Sequence, residues 1–142
     1  MTRTSDRRSR LLRLRSIEHR LAAIRLADAD SALNNLVRVR ERLAKLRSAL
    51  VVGEGQADGR DILAMAELAQ RLENAQAQMR APADQAERLR AERQAERIAA
   101  RMREEGAAKL HVKALSEEAV TEERRTDSNR QYVKRKLFLR VE

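Results

Sequence analysis

The chain has almost no side chains large enough to fill a three-dimensional hydrophobic core. Its 142 residues include one Tyr, one Phe and no Trp, whereas 37% are charged. An ordinary globular domain is about 25% charged. Most residues must therefore lie at a surface, which favours a mostly helical chain with little interior. The absence of Cys also excludes disulfides and thiolate metal sites.

Apolar residues in the first third of the chain recur at the spacing of a coiled coil. Four of them are separated by three, four and three positions: Leu14, Ile17, Leu21 and Ile24. The pattern resumes from Leu33 to Leu50 after a slip in phase between residues 26 and 33. Such spacing is typical of the a and d positions that face a partner helix. It predicts a helix over about residues 5–52, with these four side chains in its buried seam.

The sequence contains one glycine-rich segment and a single proline. Residues 53–59 hold three of the four glycines, which predicts a turn over about residues 53–60. Asp58 is expected to cap the next helix with its side chain. Helical periodicity then continues over about residues 61–137. Pro82 costs about 3 kcal/mol or more inside a helix, so we expect a kink or a short break there.

These features predict an all-α fold in which residues 1–142 form a single antiparallel coiled-coil hairpin. The second helix would be the longer one. Folding about Gln56 would place Leu14 level with Ile98 and Pro82 level with Asp30. About 30 residues of the second helix would then lack a partner and project roughly 45 Å. Because an isolated charged helix is marginal in water, we expect a binding partner to order this end.

The residue types for catalysis or cofactor binding do not converge in this sequence. His19 and His111 would lie on different helices without facing each other, so both are expected to be solvated. The turn lacks the Gly-Lys-Ser/Thr that follows a phosphate-binding loop. The acidic residues at 117–118 and 122–123 fit a solvated helix face better than a metal site. We therefore expect a non-enzymatic protein without cofactors or metals.

Basic residues give the chain a formal net charge of +9, with 31 Lys and Arg against 22 Asp and Glu. Nucleic acid is one possible partner, but neither stacking aromatics nor base-reading side chains accompany the arginines. Acidic protein surfaces are another. The Arg–Leu mixture at residues 10–15 could also lie on an anionic membrane, although the hairpin needs its apolar face. A homo-oligomeric scaffold remains a further alternative. The longest apolar run is much shorter than the roughly 20 residues of a membrane span.

Several segments give the chain a resemblance to the flagellar export-apparatus protein FliJ and its type III secretion counterparts. They are the basic N-terminus with residues 10–18 (RLLRLRSIE), the segment after the turn at 63–72 (LAMAELAQRL), and residues 112–115 (VKAL) leading to 122–127 (EERRTD). The resemblance covers nearly the whole chain. It departs from the family near the turn, where Leu and Ala replace the frequent Tyr or Phe.

The resemblance implies a stalk similar to the central shaft of rotary ATPases, at the cytoplasmic face of the inner membrane. Its partners would be the hexameric export ATPase, the cytoplasmic domain of the export gate, and export chaperones. We expect the ATPase contact at the end where the termini meet, and the residues assigned to it are Arg7, Arg8, Arg10, Arg13, Arg15, Lys134 and Arg135. A stripe near the turn would form the helix seam or contact the gate, and it consists of Leu43, Leu46, Leu50, Leu68 and Leu72.

Overall fold

The computed structural model describes residues 3–52 and 58–138, and helices make up nearly all of them. Helix α1 spans Arg3–Val52, α2 spans Gly59–Gln78, and α3 spans Arg80–Phe138. Within these two ranges there is no β-strand, so the all-α prediction is confirmed. Residues 53–57 of the predicted turn lie outside the described residues.

The predicted second helix is interrupted at Met79, where α2 ends and α3 begins. The Met79 amide donates to the carbonyl oxygens of Ala75 and Gln76, both at 3.2 Å. Pro82 therefore lies in the first turn of α3, where backbone N–H groups lack an intrahelical acceptor. A proline is tolerated at such a position because its missing N–H removes no hydrogen bond. The second predicted helix, over about residues 61–137, is thus divided by a short break three residues before Pro82, which is one of the two outcomes expected from the proline.

Asp58 precedes α2 with an extended backbone, as an N-cap residue does. Its side chain, however, makes no cap hydrogen bond, which contradicts the predicted capping role. The Asp58 carbonyl oxygen instead accepts the amides of Asp61 at 2.9 Å and Ile62 at 3.1 Å. These are the first backbone bonds of the helix itself.

The chain divides into two compact units, and the first combines residues 1–21 with residues 98–142. Several hydrogen bonds join α1 to α3 in this unit. Thr4 Oγ1 donates to Glu118 Oε1, Arg8 Nη1 donates to the Leu110 carbonyl, and His19 Nδ1 forms a hydrogen bond with Glu104 Oε2, each at 2.7 Å. As the residue number rises along α1, the number of its partner on α3 falls.

The second unit comprises residues 22–97. Asp30 forms an ion pair with Arg90, and Arg47 lies 4.0 Å from Glu73. Asp30 therefore lies level with Arg90 and not with Pro82, so the predicted register is wrong by about eight residues. That register assumed that pairing starts at the glycines. The first turn of α2 does not support this, because Ile62 and Leu63 are 58% and 73% exposed.

The buried side chains are mostly alanine, which corrects the predicted leucine and isoleucine seam. Leu14, Ile17, Leu21 and Ile24 are each about half exposed. In the first unit, the buried residues of α3 are Ala100, Ala107 and Ala114. In the second unit, the buried residues are Ala22, Leu26, Ala29 and Ala83. Small side chains at a helix contact allow a short interaxial distance, and large aliphatic side chains would hold the helices apart.

The enclosed positions of α1 keep one seven-residue phase. Leu12, His19, Leu26 and Leu33 are buried or half-buried and follow one another at intervals of seven. The slip in phase predicted between residues 26 and 33 therefore does not occur. The slip was predicted because the exposed aliphatic residues were assigned to the seam. These residues lie on a different face of the helix.

Candidate partner-binding surfaces

The N-terminal arginines differ in what they contact. Arg8 donates to the Leu110 carbonyl, and Arg15 Nη1 lies 2.7 Å from Glu18 Oε2, so both bind within the first unit. Arg7, Arg10 and Arg13 are exposed and have no ion-pair partner among the described residues. Three of the five predicted ATPase-contact arginines of α1 thus present an uncompensated charge to solvent.

Among the described residues, the hydrogen bonds between α3 and α1 extend as far as Glu118, and the C-terminal part of α3 continues beyond it. Glu118 Oε1 accepts from Thr4 Oγ1 and from the Ser5 amide, the latter at 3.0 Å. Every residue from 119 to 138 is exposed. Twenty helical residues extend about 30 Å. The predicted overhang was roughly 45 Å for about 30 residues. Pairing reaches Glu118 instead of ending near His111, which removes seven residues or about 10 Å, and residues 139–142 lie outside the described residues.

The predicted ATPase-contact residues of α3 lie on this overhang, away from the arginines of α1. Lys134 is 16 residues beyond Glu118, which corresponds to roughly 24 Å along the helix axis. Arg135 follows it, and Tyr132 and Phe138 nearby are 66% and 83% exposed. The first unit therefore holds two separate basic groups, one on α1 and one on the overhang.

The predicted stripe near the turn belongs to the second unit and is only partly enclosed. Leu43, Leu50 and Leu72 are half-buried. Leu46 and Leu68 are 50% and 46% exposed. Three of the five side chains therefore help to pack the helices, while two remain available for a contact with another molecule.

Both histidines lie in the helix interface of the first unit, so the expectation that they are solvated is wrong. The side chains of His19 and Glu104 are only 26% and 27% exposed. A hydrogen bond from Ser16, followed by the hydrogen bond with His19, holds the pKa of Glu104 below its ordinary value of 4.5. The Nδ1 atom of His111 is buried without a hydrogen-bond partner.

A repeat along α3 could have identified these interface residues from sequence. Glu104, His111 and Glu118 recur every seven residues, and Ala100, Ala107 and Ala114 recur in the same way. The two series alternate at spacings of four and three. This alternation is typical of a coiled-coil seam in which one position is polar. Because none of these residues has a large aliphatic side chain, a search for rows of leucine, isoleucine and valine overlooks them.

The described surface offers little for small-molecule or metal chemistry. A groove of about 310 Å³ in the first unit is lined by residues of both charges, among them Arg8, Glu117 and Arg125. Over residues 3–52 and 58–138 no cluster of His, Asp and Glu could hold a metal ion. In the same ranges, none of the helices combines the length and the hydrophobicity required to cross a membrane.

Comparisons with known proteins do not place the chain in a family. No family model, curated protein or solved structure matches it. The function must therefore be argued from the exposed surfaces and the helix interface described above.

Proposed function

We propose that this protein is a non-enzymatic coiled-coil stalk of a flagellar or related type III export apparatus. In this role it links the hexameric export ATPase, which it stimulates, to the export gate and to export chaperones. It acts at the cytoplasmic face of the inner membrane and needs no cofactor.

The proposed architecture is an antiparallel hairpin whose second arm bends at Met79 next to Pro82. The order of the contacts supports this architecture, because in each unit residues with higher numbers on α1 pair with residues with lower numbers on the second arm. A two-helix arm exposes nearly all of its side chains and encloses little volume. This arrangement is suited to contacting other proteins along its length and poorly suited to enclosing a substrate.

The observation that carries the proposal is the exposed overhang of α3. An isolated charged helix of 20 residues gains little stability without packing, yet residues 119–138 include Tyr132, Val133 and Phe138 with more than half of each side chain exposed. A ring-shaped partner that surrounds the overhang would bury these side chains. Lys134 and Arg135 would then meet acidic groups of the ring.

The experiment is a steady-state ATPase assay with the purified hexameric export ATPase at low salt. We expect the wild-type chain to raise the rate of ATP hydrolysis. The triple variant Arg7→Glu, Lys134→Glu and Arg135→Glu should lose at least tenfold in apparent affinity, because it reverses charge on both basic groups.

A matched control reverses three exposed arginines of the second unit: Arg38→Glu, Arg60→Glu and Arg88→Glu. It changes the net charge equally and should stimulate the ATPase as the wild type does. The proposal is wrong if the wild-type chain neither binds nor stimulates the ATPase. Equal losses in both variants would mean that net charge alone attracts the ring.

The nucleic-acid alternative is tested with the same proteins by titrating duplex DNA at several salt concentrations. Tight binding at physiological salt with a steep dependence on salt would favour that alternative. Helicity that rises with protein concentration, in the absence of any other partner, would instead favour a homo-oligomeric scaffold.

A further inference from the structure

The outward face of α1 in the first unit carries a regular row of large aliphatic side chains. Leu14, Ile17 and Leu21 are 51%, 53% and 49% exposed. We call these three residues the outer stripe. Their spacings of three and four place them on one face of the helix. Isolated exposed aliphatic residues are common, but an aligned row on one face is typical of an interaction surface.

The outer stripe does not contribute to the pairing of α1 with α3. Leu12 and His19, which are among the enclosed residues of α1 in this unit, lie on the opposite side of the helix, and the buried Ser5 lies there too. His19 contacts Glu104 there. Helix α1 therefore packs one face against α3. Its second face with coiled-coil spacing contacts no helix in the described part of this unit.

The charges that border the outer stripe indicate the chemistry of its partner. Arg10 and Arg13 are exposed and have no ion-pair partner in the described part of the chain. Of the acidic residues on this side of α1, Glu18 is already paired with Arg15 at 2.7 Å, and Asp6 alone lies about one turn before Arg10. The uncompensated charge along the stripe is therefore positive, and acidic side chains on a partner would complement it.

We propose that the outer stripe docks an amphipathic acidic helix of another protein, which packs aliphatic residues against Leu14, Ile17 and Leu21. Glutamates or aspartates that border its apolar row face Arg10 and Arg13. This interaction uses neither the overhang nor the basic residues at positions 134 and 135, but it shares Arg10 and Arg13 with the basic group of α1 that is assigned to the ATPase. The peptide-binding test below does not involve the ATPase, so its result is separate from the test of the stalk function.

Two other occupants fit the outer stripe less well. In a symmetric contact, a second copy of the chain would bring its own Arg10 and Arg13 into the interface, and like charges would repel. Helices that lie on anionic membranes usually have a broad apolar face with Trp or Phe. The outer stripe is narrow and wholly aliphatic, with the spacing of knobs that fit between the side chains of another helix.

The test uses the full chain and a synthetic 28-residue peptide with Leu at its a and d positions and Glu at e and g. Repulsion between glutamates keeps this peptide from pairing with itself. We expect the wild-type chain to bind it in a fluorescence anisotropy titration. The triple variant Leu14→Gln, Ile17→Gln and Leu21→Gln should bind at least tenfold more weakly.

The matched control replaces three exposed apolar residues of α3 in the same unit: Ile98→Gln, Met102→Gln and Val112→Gln. It should bind the peptide within twofold of the wild type. Circular dichroism should give the same helicity for both variants, so that a loss of binding is attributable to the outer stripe. A peptide with Lys in place of Glu should bind at least tenfold more weakly to the wild type.

Four results would overturn the proposal. The wild type could fail to bind the acidic peptide, or both triple variants could lose binding equally. Vesicles of phosphatidylglycerol and phosphatidylcholine could bind the wild type, but not the outer-stripe variant, while the peptide does not bind; the surface would then be a membrane site. Sedimentation could show a wild-type dimer that the outer-stripe variant loses, which would assign the stripe to a second copy.

Discussion

The alanine seam of the first unit predicts that a larger side chain will weaken the structure. Ala107 is 5% exposed and lies between Ala100 and Ala114 on the same seam, at 6% and 2%. Ala107→Leu adds three carbons, whose complete burial would stabilise by about 2.4 kcal/mol. To make room, however, α1 and α3 must move apart and give up the packing of the neighbouring alanines.

Overpacking of a well-packed site costs about 1 to 3 kcal/mol, and the separation of the helices prevents the new side chain from being fully enclosed. We therefore expect Ala107→Leu to lower the free energy of unfolding by about 1 to 3 kcal/mol. With a urea slope of about 2 kcal/mol per molar, a loss of about 2 kcal/mol lowers the unfolding midpoint by about 1 M. The measurement is urea denaturation followed by circular dichroism at 222 nm.

Ala119→Leu is the matched control, because it makes the same substitution on the same helix at an exposed residue. Its effect should stay within about 0.5 kcal/mol. A rise in the midpoint for Ala107→Leu with no change for the control would refute the reasoning. That result would mean that the interface accepts leucine as a conventional coiled coil does.

Three further predictions concern other parts of the structure. Gly106→Ala should raise the free energy of unfolding by about 1 kcal/mol in a urea titration, because the residue is helical and a Cβ there meets no atom within 4 Å; an unchanged or lower midpoint would contradict this. The pKa of Glu104 is lower in the folded chain than its ordinary value of 4.5, so its interactions stabilise the fold above about pH 4.5, and this contribution is lost as pH falls through the folded pKa. Thermal unfolding of Glu104→Gln should therefore depend less on pH below 4.5 than that of the wild type, and identical profiles would disprove the link. Asp30→Asn removes the ion-pair partner of the largely exposed Arg90 and should lower the free energy of unfolding, measured by urea denaturation, by at most about 1 kcal/mol. A loss above about 2 kcal/mol would show that this pair stabilises the fold more than a surface ion pair does.

The helices themselves could be predicted from the sequence, because local properties decide them. High charge, few aromatic residues and an apolar period of three and four indicated α-helix, and the predicted first helix at residues 5–52 corresponds to α1 at Arg3–Val52. An interruption near Pro82 was expected as a kink or a short break, and the structure has the break. Its position at Met79 follows from the tolerance of the first helical turn for proline.

The residues enclosed between the two helices could not be predicted from hydrophobicity. Two faces of α1 have coiled-coil spacing, one through Leu14, Ile17 and Leu21 and the other through Leu12 and His19. The first face is the more hydrophobic, which makes it the predicted seam. In the structure, however, the second face is the one enclosed between the helices. The same error made the histidines look solvated, whereas the register was displaced because pairing was assumed to start at the glycines.

The sequence by itself determined that the chain is helical, strongly basic, and unable to form a large core, because these properties depend on the residues present and on their local spacing. Only the tertiary structure decided which face of each helix is enclosed, how the helices are aligned, and which charges stay unpaired. The physical reason is that packing depends on the partner surface: alanines on one helix let the other approach closely, and that approach encloses His19 and Glu104 while Leu14, Ile17 and Leu21 remain exposed.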